Sequence, residues 1–426
     1  MTDGQGERPA AEWMLRRRLV GRPSPGGRMV AIGQGRSVSA ATAIEQCRAM
    51  LGGMVPRLLL VFCGGKHEGS DILRALRATF GDAVPIVGGS AAGIIWRDGL
   101  GYSGLEVGLV AFGEDDFLPQ IVVNRDLLQG EHAAGFSLGQ MLAETAEQDS
   151  VVLMFYDSVA SSSPLRLHPA SDLVEGLQSG LGGHRIRLIG GGTLTDMNLS
   201  DAWVLDGISA IKHAAVALVF PLGLKDETVI LHGCRPVSTF MEITRIDGAE
   251  VFELDGRPAL EVIEQMLGVT LGSTSSHDLS LIATLGEKQG DPYAAYDENS
   301  YVNRLILRAN RATGSITLFE KDFRLGTRVQ IMSRDNALML DSVRNGISAI
   351  NRTQQGGQPF LAIYIDCAGR ASARSGAAIE EARLVADGLD SSIPFLGFYS
   401  GVEIAPFDGY SRPLDWTGLL TVLSAR

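Results

Sequence analysis

Ile186–Asp196 reads IRLIGGGTLTD, an apolar run that breaks into glycines and hydroxyl residues. Two other stretches repeat the theme: Val84–Ile95 is VPIVGGSAAGII and Ile393–Ile404 is IPFLGFYSGVEI. An amphipathic segment precedes each, and before that comes an apolar run ending in Cys or Asp. In the first copy these are Leu58–Cys63 (LLLVFC) and Ser70–Phe80 (SDILRALRATF). Ile72, Leu73, Leu76 and Phe80 recur there at helical spacing, with Ser70 suited to the N-cap and Gly81 to the residue after the last turn. The second copy has Val151–Tyr156 and Ala170–Leu181, and the third Leu361–Ile365 and Ala377–Leu389. A further apolar strand follows each phrase, at Leu105–Phe112, Ala214–Phe220 and Leu419–Leu423.

Aligning Val87, Ile189 and Leu396 spaces the copies by 102 and 207 residues, far longer than the period of a solenoid. A strand and a helix extend each copy upstream: Val30–Ile32 with Ala40–Leu51, Ile121–Arg125 with Ala134–Ala146, and Val329–Ser333 with Asn336–Ile350. Residues 230–320 read as a decayed fourth copy, with a helix at Pro258–Leu267 and a strand at Leu279–Leu285. Short links between strands such as Leu105–Phe112 and Ile121–Arg125 call for mixed sheets. The fold class expected is α/β, built from duplicated mixed-sheet units (about three pseudo-repeats) in two packed domains. A break near Arg245–Gly248 sets their bounds at 29–246 and 247–426, after a flexible tail at 1–28.

The chain has 426 residues, 45% apolar and 20% charged, ample for a large core. A net charge of −12 argues against nucleic acid and anionic membrane surfaces as partners. No apolar run is long enough to span a bilayer, and the tail lacks the apolar core of a signal peptide. Cys47, Cys63, Cys234 and Cys367 are widely scattered, as in a reduced cytoplasmic protein.

Loops at the carboxyl ends of strands gather ligands in α/β folds, so these positions are the first candidates. They are Cys63, Asp157, and the pair Cys367 and Arg370, with Cys63 and Cys367 expected at corresponding places. The glycine phrases add Gly88, Gly89, Ser90, Gly191, Thr193, Tyr399 and Glu403. Glycines there let a backbone approach a ligand, or mark a bulge or tight bend. Glu403 suits a ligand amine or a structural Arg. Ser158–Ser163 reads as a flexible loop. A P-loop, a dinucleotide fingerprint and a nucleophile elbow are all missing. The seven histidines show no zinc spacing, although one could serve as a haem axial ligand. No catalytic constellation and no metal site are expected. A cysteine nucleophile at Cys63 or Cys367 is the enzymatic alternative.

LLLVFCGG, VGGSAAG, GGGTLTD with WVLDG at Trp203–Gly207, HGCRPVS, ELDGRPALEVIEQMLG, DCAGR and GFYSGVEIAP together resemble the FIST family, in both its N-terminal and C-terminal domains. That resemblance implies a sensory module of signalling proteins that binds a small ligand such as an amino acid or related metabolite. Some relatives, the nitric-oxide sensors, are similar to haem binders. Where the family phrase often reads GCSTAGE, this chain has Gly89 and Ile94 in place of the Cys and Glu. No kinase, PAS or cyclase signature accompanies the module, so output is expected through a partner such as a histidine kinase or cyclase.

Overall fold

The computed structural model describes residues 29–113, 117–268, 283–353, 358–407 and 409–425. The tail expected over 1–28 lies outside the described residues, as do residues 279–282 of the strand expected at Leu279–Leu285. Three six-stranded sheets carry the phrases. Sheet I runs Val30–Arg36, Glu106–Phe112, Leu58–Gly64, Ile86–Ala91, Val204–Gly207, Ala210–Ile211. Sheet II runs Gln120–Asn124, Ala215–Val219, Ser150–Asp157, Ile186–Thr193, Glu403–Phe407, Tyr410–Leu414. Sheet III runs Leu224–Leu231, Gly418–Ala425, Gln358–Cys367, Phe395–Ser400, Ile94–Trp96, Gly99–Gly101. In each, the third and fourth strands pair parallel and the rest antiparallel, so the sheets are mixed.

The last two strands of every sheet are a hairpin lent by a different phrase. The hairpin after the first phrase joins sheet III, the one after the second joins sheet I, and the one after the third joins sheet II. Strand alternation explains how the sheets stack. Leu58, Leu60 and Phe62, Val151, Leu153 and Phe155, and Leu361, Ile363 and Ile365 all enter one shared core. Phe62 stacks on Phe398 at 3.9 Å and meets Phe155 edge-on at 4.9 Å. The alternate residues face helices on the outside. Leu59, Val61 and Cys63 pack against Ile44, Ile72 and Leu76, while Val152, Met154 and Tyr156 pack against Leu138, Leu173 and Leu177.

Two upstream assignments change. The outer strand of sheet III is Leu224–Leu231, paired with Gly418–Ala425, and not Val329–Ser333. Lys225, Asp226 and Glu227 interrupt this edge strand, which hides it among apolar runs. Arg328–Arg334 belongs instead to a closed ring that stands in place of the decayed fourth copy. The ring passes from Arg328–Arg334 to Met241–Asp247, Glu250–Leu254, Ser315–Leu318, Tyr301–Asn310 and Ala283–Lys288, then back to Arg328–Arg334. All its pairs are antiparallel, and helix Ala259–Leu267 plugs it with Leu260 and Ile263. It is inserted between Leu224–Leu231 and helix Asn336–Thr353. The boundary at 246/247 falls inside one of its hairpins, where Asp247 pairs with Glu250.

Smaller shifts have local causes. Helix Gly69–Phe80 starts from Glu68 with no side-chain cap, so Ser70 is not the N-cap. The helix expected at Ala377–Leu389 forms only over Glu381–Gly388, because Gly376 ends the preceding turn in the left-handed region. Val159–Ser162 pairs with Leu165–Leu167 as a hairpin, so Ser158–Ser163 is not a loose loop.

The phrase glycines have a steric reason. A Cβ on Gly190 would stand 1.8 Å from the Met154 carbonyl oxygen, and one on Gly88 would stand 2.0 Å from that of Val61. Gly190→Ala should therefore lower unfolding free energy by about 3 kcal/mol in urea denaturation. A loss below about 0.5 kcal/mol would contradict the close approach.

Candidate functional site

The three phrases meet. Ala92 N–H donates to the Tyr399 carbonyl and Tyr399 N–H to Gly93, at 3.1 and 3.0 Å. Gly192 N–H donates to Val402 and Gly401 N–H to Gly192, at 2.8 and 2.9 Å. A Cβ on Gly89 would lie 2.7 Å from Thr193 Cγ2 and one on Gly191 3.4 Å from Ser400 Cβ. Gly89 and Gly191 thus seat neighbouring strands. Ser90 Oγ accepts from Trp203 N–H at 3.2 Å, and Thr193 Oγ1 donates to the Tyr156 carbonyl at 3.1 Å. Both hydroxyls are buried and committed to backbone.

Cys63 and Cys367 do not correspond. Cys63 pairs with Ser90, whereas Cys367 pairs with Ser400, which is one position further along the phrase. Cys63 therefore matches Asp366 and turns outward to the helices, since one residue of slip reverses the face. All four cysteines are buried. Burial raises the Cys47 thiol to about 12 and Cys234 to about 11, and it pushes Cys63 and Cys367 well above the ordinary range. A thiolate nucleophile needs the opposite shift.

Cys367, Arg370, Tyr399 and Glu403 do come together, at the strand ends of sheet III. Strand Gln358–Cys367 turns through Ala368–Arg370 and brings Arg370 back beneath its own end. Arg370 is 1% exposed and grips Glu381 with two bonds of 2.5 and 2.7 Å. It stands 3.3 Å from Asp366 and donates to the carbonyls of His232 and Trp416 at 2.6 and 3.0 Å. Burial works against its charge, but Glu381 and Asp366 more than offset this and hold it well above its ordinary value. Burial, then Glu381, raises the Asp366 carboxyl well above the usual range.

Glu403 accepts from Ser400 Oγ at 2.5 Å and Thr417 N–H at 3.2 Å, and burial raises it strongly. Its partners are a hydroxyl and an amide rather than an Arg. Tyr399 OH donates to Glu380 Oε1 at 2.9 Å and Tyr102 OH to Oε2 at 3.0 Å. Ser372 N–H also reaches Glu380, at 2.8 Å. Glu380 thus pins the segment Ala371–Glu380 over the site. Sequence reasoning missed Tyr102, Glu380, Glu381, Trp416 and His232. DCAGR was the available signal, because an Arg four residues after a buried Asp requires acidic company.

Asp157 lies in a separate group. It accepts from Val159 N–H at 3.0 Å and His213 N–H at 2.6 Å. His213 Nδ1 meets His168 Nε2 at 3.1 Å, and His168 Nδ1 meets Glu131 at 2.8 Å. Asp196 accepts from Asn198 and Ser200 in a surface turn. Two open hollows, of about 530 and 390 Å³, lie against helices Gly69–Phe80 and Ala170–Leu181, and none of the expected site residues lines them.

Histidines were the candidate haem ligands. His277 lies outside the described residues. His67 bonds the Leu105 carbonyl, His168 is held on both nitrogens, and buried His232 is tied through Nδ1 to Thr417. No histidine lines either hollow. No group of three His, Cys, Asp or Glu among them is placed to hold a metal. No helix among them is long and apolar enough to cross a membrane.

Three mixed sheets around one core, with a buried polar cluster at the strand ends of sheet III, define a multi-sheet α/β protein. Family models match as the FIST N domain over residues 57–257 and the FIST C domain over 259–406, and the chain belongs to the FIST family. FIST domains are sensory domains of signalling proteins. An uncharacterised protein of Mycobacterium tuberculosis is 24% identical over 391 residues, covering 90% of this chain and 95% of that one. Another, from Mycobacterium bovis, is 26% identical over 244 residues, 57% and 61% of the two chains. A chorismatase crystal structure aligns over 94% of this chain and 100% of its own at 11% identity, with a TM-score of 0.35. A cyanuric acid hydrolase from A. caulinodans aligns over 93% and 99% at 10% identity, with a TM-score of 0.32.

Two outcomes follow. Arg370→Met leaves Glu381 and Asp366 buried without their cation and should cost about 3–5 kcal/mol in chemical denaturation. The double variant with Glu381→Leu should recover much of that loss. Burial, partly offset by its two N–H donors, raises Asp157 to about 6. Its proton then contributes stability that is fully present below the unfolded value near 3.8 and is lost as pH rises through about 6. Wild type should lose about 3 kcal/mol more than Asp157→Asn between pH 3.5 and 7. Parallel stability curves for the two proteins would contradict that shift.

Proposed function

We propose that this protein is a cytoplasmic sensory protein that binds a small polar molecule at the strand ends of sheet III. The ligand class is an amino acid or a related metabolite. The observation that carries the reading is Asp366. Both its carboxylate oxygens are buried without a hydrogen-bond donor, although Arg370 stands beside them. Buried polar groups are normally matched, so these two oxygens suit the donor of a ligand. Arg370 stands 3.3 Å from Asp366, Tyr399 faces it across the strand pair, and Ser400 Oγ ties its backbone carbonyl to Glu403.

Entry would require the segment Ala371–Glu380 to lift, exchanging the Glu380 bonds to Tyr102 and Tyr399 for solvent. Tyr102 follows the hairpin lent by the first phrase, so closure over ligand would reach sheet I as well as sheet III. The reading of the three sheets as pseudo-repeats supports this, since their phrases would then supply equivalent corners of one junction. We also keep the division into N-terminal and C-terminal halves, whose relative placement the ligand would bias. A partner such as a histidine kinase or cyclase would read the change.

Thermal-shift and calorimetric screening of the full chain with amino acids and central metabolites tests the proposal. A ligand should appear whose affinity falls at least about tenfold in Tyr399→Phe and Glu403→Gln. A flat response across the library would remove the reading.

A further inference from the structure

Beside Arg370 lies a second set of polar groups that the carboxylates do not match. Arg334 ends strand Arg328–Arg334 opposite Cys234. Its Nη1 is buried, and the side chain has no hydrogen bond or ion pair to any described residue. Its guanidinium lies 4.1 Å from the centroid of the Trp416 ring. Trp416 is 1% exposed, and its indole N–H has no acceptor. His232 is equally buried. Its Nδ1 meets Thr417 Oγ1 at 2.9 Å, and burial with the Arg370 charge lowers it to about 3, so the ring is neutral and adds no charge here.

These groups share one neighbourhood, because Arg370 bonds the carbonyls of both His232 and Trp416. Burial first, then the nearby Arg370 charge, lowers Arg334 to about 10. Two cations therefore sit close together. Glu381 and Asp366 hold one of them, and the other has no ion pair among the described residues and feels Glu381 only at a distance.

Trp416 also holds a backbone conformation that bulky residues rarely adopt, with φ 56°. That conformation aims its carbonyl at Arg370 and places the next N–H on Glu403. There is room beside the indole nitrogen as well. A Cβ added to Gly369 would stand 3.8 Å from both Trp416 Nε1 and Cys367 Sγ, ordinary contact distances in a space that no side chain fills.

A buried donor is costly unless something accepts from it, and Arg334 Nη1 and the Trp416 indole N–H are both such donors, although the rest of the Arg334 side chain is only half-buried. A planar Arg fork beside an indole N–H suits an oxyanion. We propose that Arg334 and Trp416 form an anion subsite that takes the carboxylate or phosphate head of a small metabolite. The proposal rests on the sheet III strand ends being the ligand site, and it adds the ligand's charge and the residue that reads it. Arg334 comes from the ring and Trp416 from the turn entering the last strand of sheet III. A bound anion would therefore tie the ring to the sheet.

The test melts the full chain at constant ionic strength in sodium chloride, sodium acetate or sodium phosphate, with acetamide as the neutral control. Acetate or phosphate should raise Tm above both chloride and acetamide. The concentration needed should grow at least about tenfold in Arg334→Met and less in Arg334→Lys. Acetate ahead of phosphate assigns a carboxylate, and the reverse assigns a phosphate. Arg334→Met should melt no lower than wild type in chloride, because it removes an unpaired charge. A rise that is unchanged in Arg334→Met, or no rise with either anion, overturns the subsite. Metabolites that still bind in a Tyr399-dependent way would then leave the sensory reading standing. If no metabolite binds either, both readings fall.

Discussion

Everything in this molecule leans on the close approach of two parallel strands at the middle of each sheet. Gly88, Gly190 and Gly397 sit where a side chain would press on the carbonyl of the adjacent strand, at 2.0, 1.8 and 2.8 Å. Without a Cβ, each phrase can run beside its partner strand and then cross to another sheet as a hairpin. The crossing aligns the inner faces, so that Phe62, Phe155 and Phe398 meet in one core. It also brings the phrases within backbone hydrogen-bonding distance of one another. The site is a by-product of this geometry, because strand ends that meet for packing also gather their polar residues.

Much of the frame was legible in local pattern. Runs such as LLLVFC and VVLMFY are buried on both faces, so their composition alone marks central strands. Helix Ala170–Leu181 appears with the bounds its spacing predicts. What stayed hidden depended on pairing at a distance. Nothing in Glu403–Phe407 announces that it will lie beside Gly190 and Gly191 rather than beside its own neighbours. The ring was misread because its strands alternate weakly and carry many charges, and helix Ala259–Leu267 imitates the repeat.

The candidate site was legible in part for the same reason. Arg370 and Tyr399 come from two adjacent strand ends, and Glu403 follows three residues after Ser400, to which it bonds, although its own strand joins sheet II. Glu380 and Tyr102 are 278 residues apart and meet only through an exchanged hairpin. Cys63 looked equivalent to Cys367 because both close an apolar run. The register separates them by one residue, which is enough to put one against helices and the other at the junction.

The hairpin exchange also orders the protein's birth. Sheet II begins with Gln120–Asn124 but has no outer edge until Glu403–Phe407 and Tyr410–Leu414 arrive. Sheet III needs Gly418–Ala425 to join its first strand to its centre. During synthesis the amino-terminal two thirds of the chain must therefore wait with unpaired strand edges for the final stretch. Such long-range closure is slow and leaves sticky intermediates. Until Glu403–Phe407 is in place, strand Ile186–Thr193 is an exposed sheet edge, open to pairing with another chain.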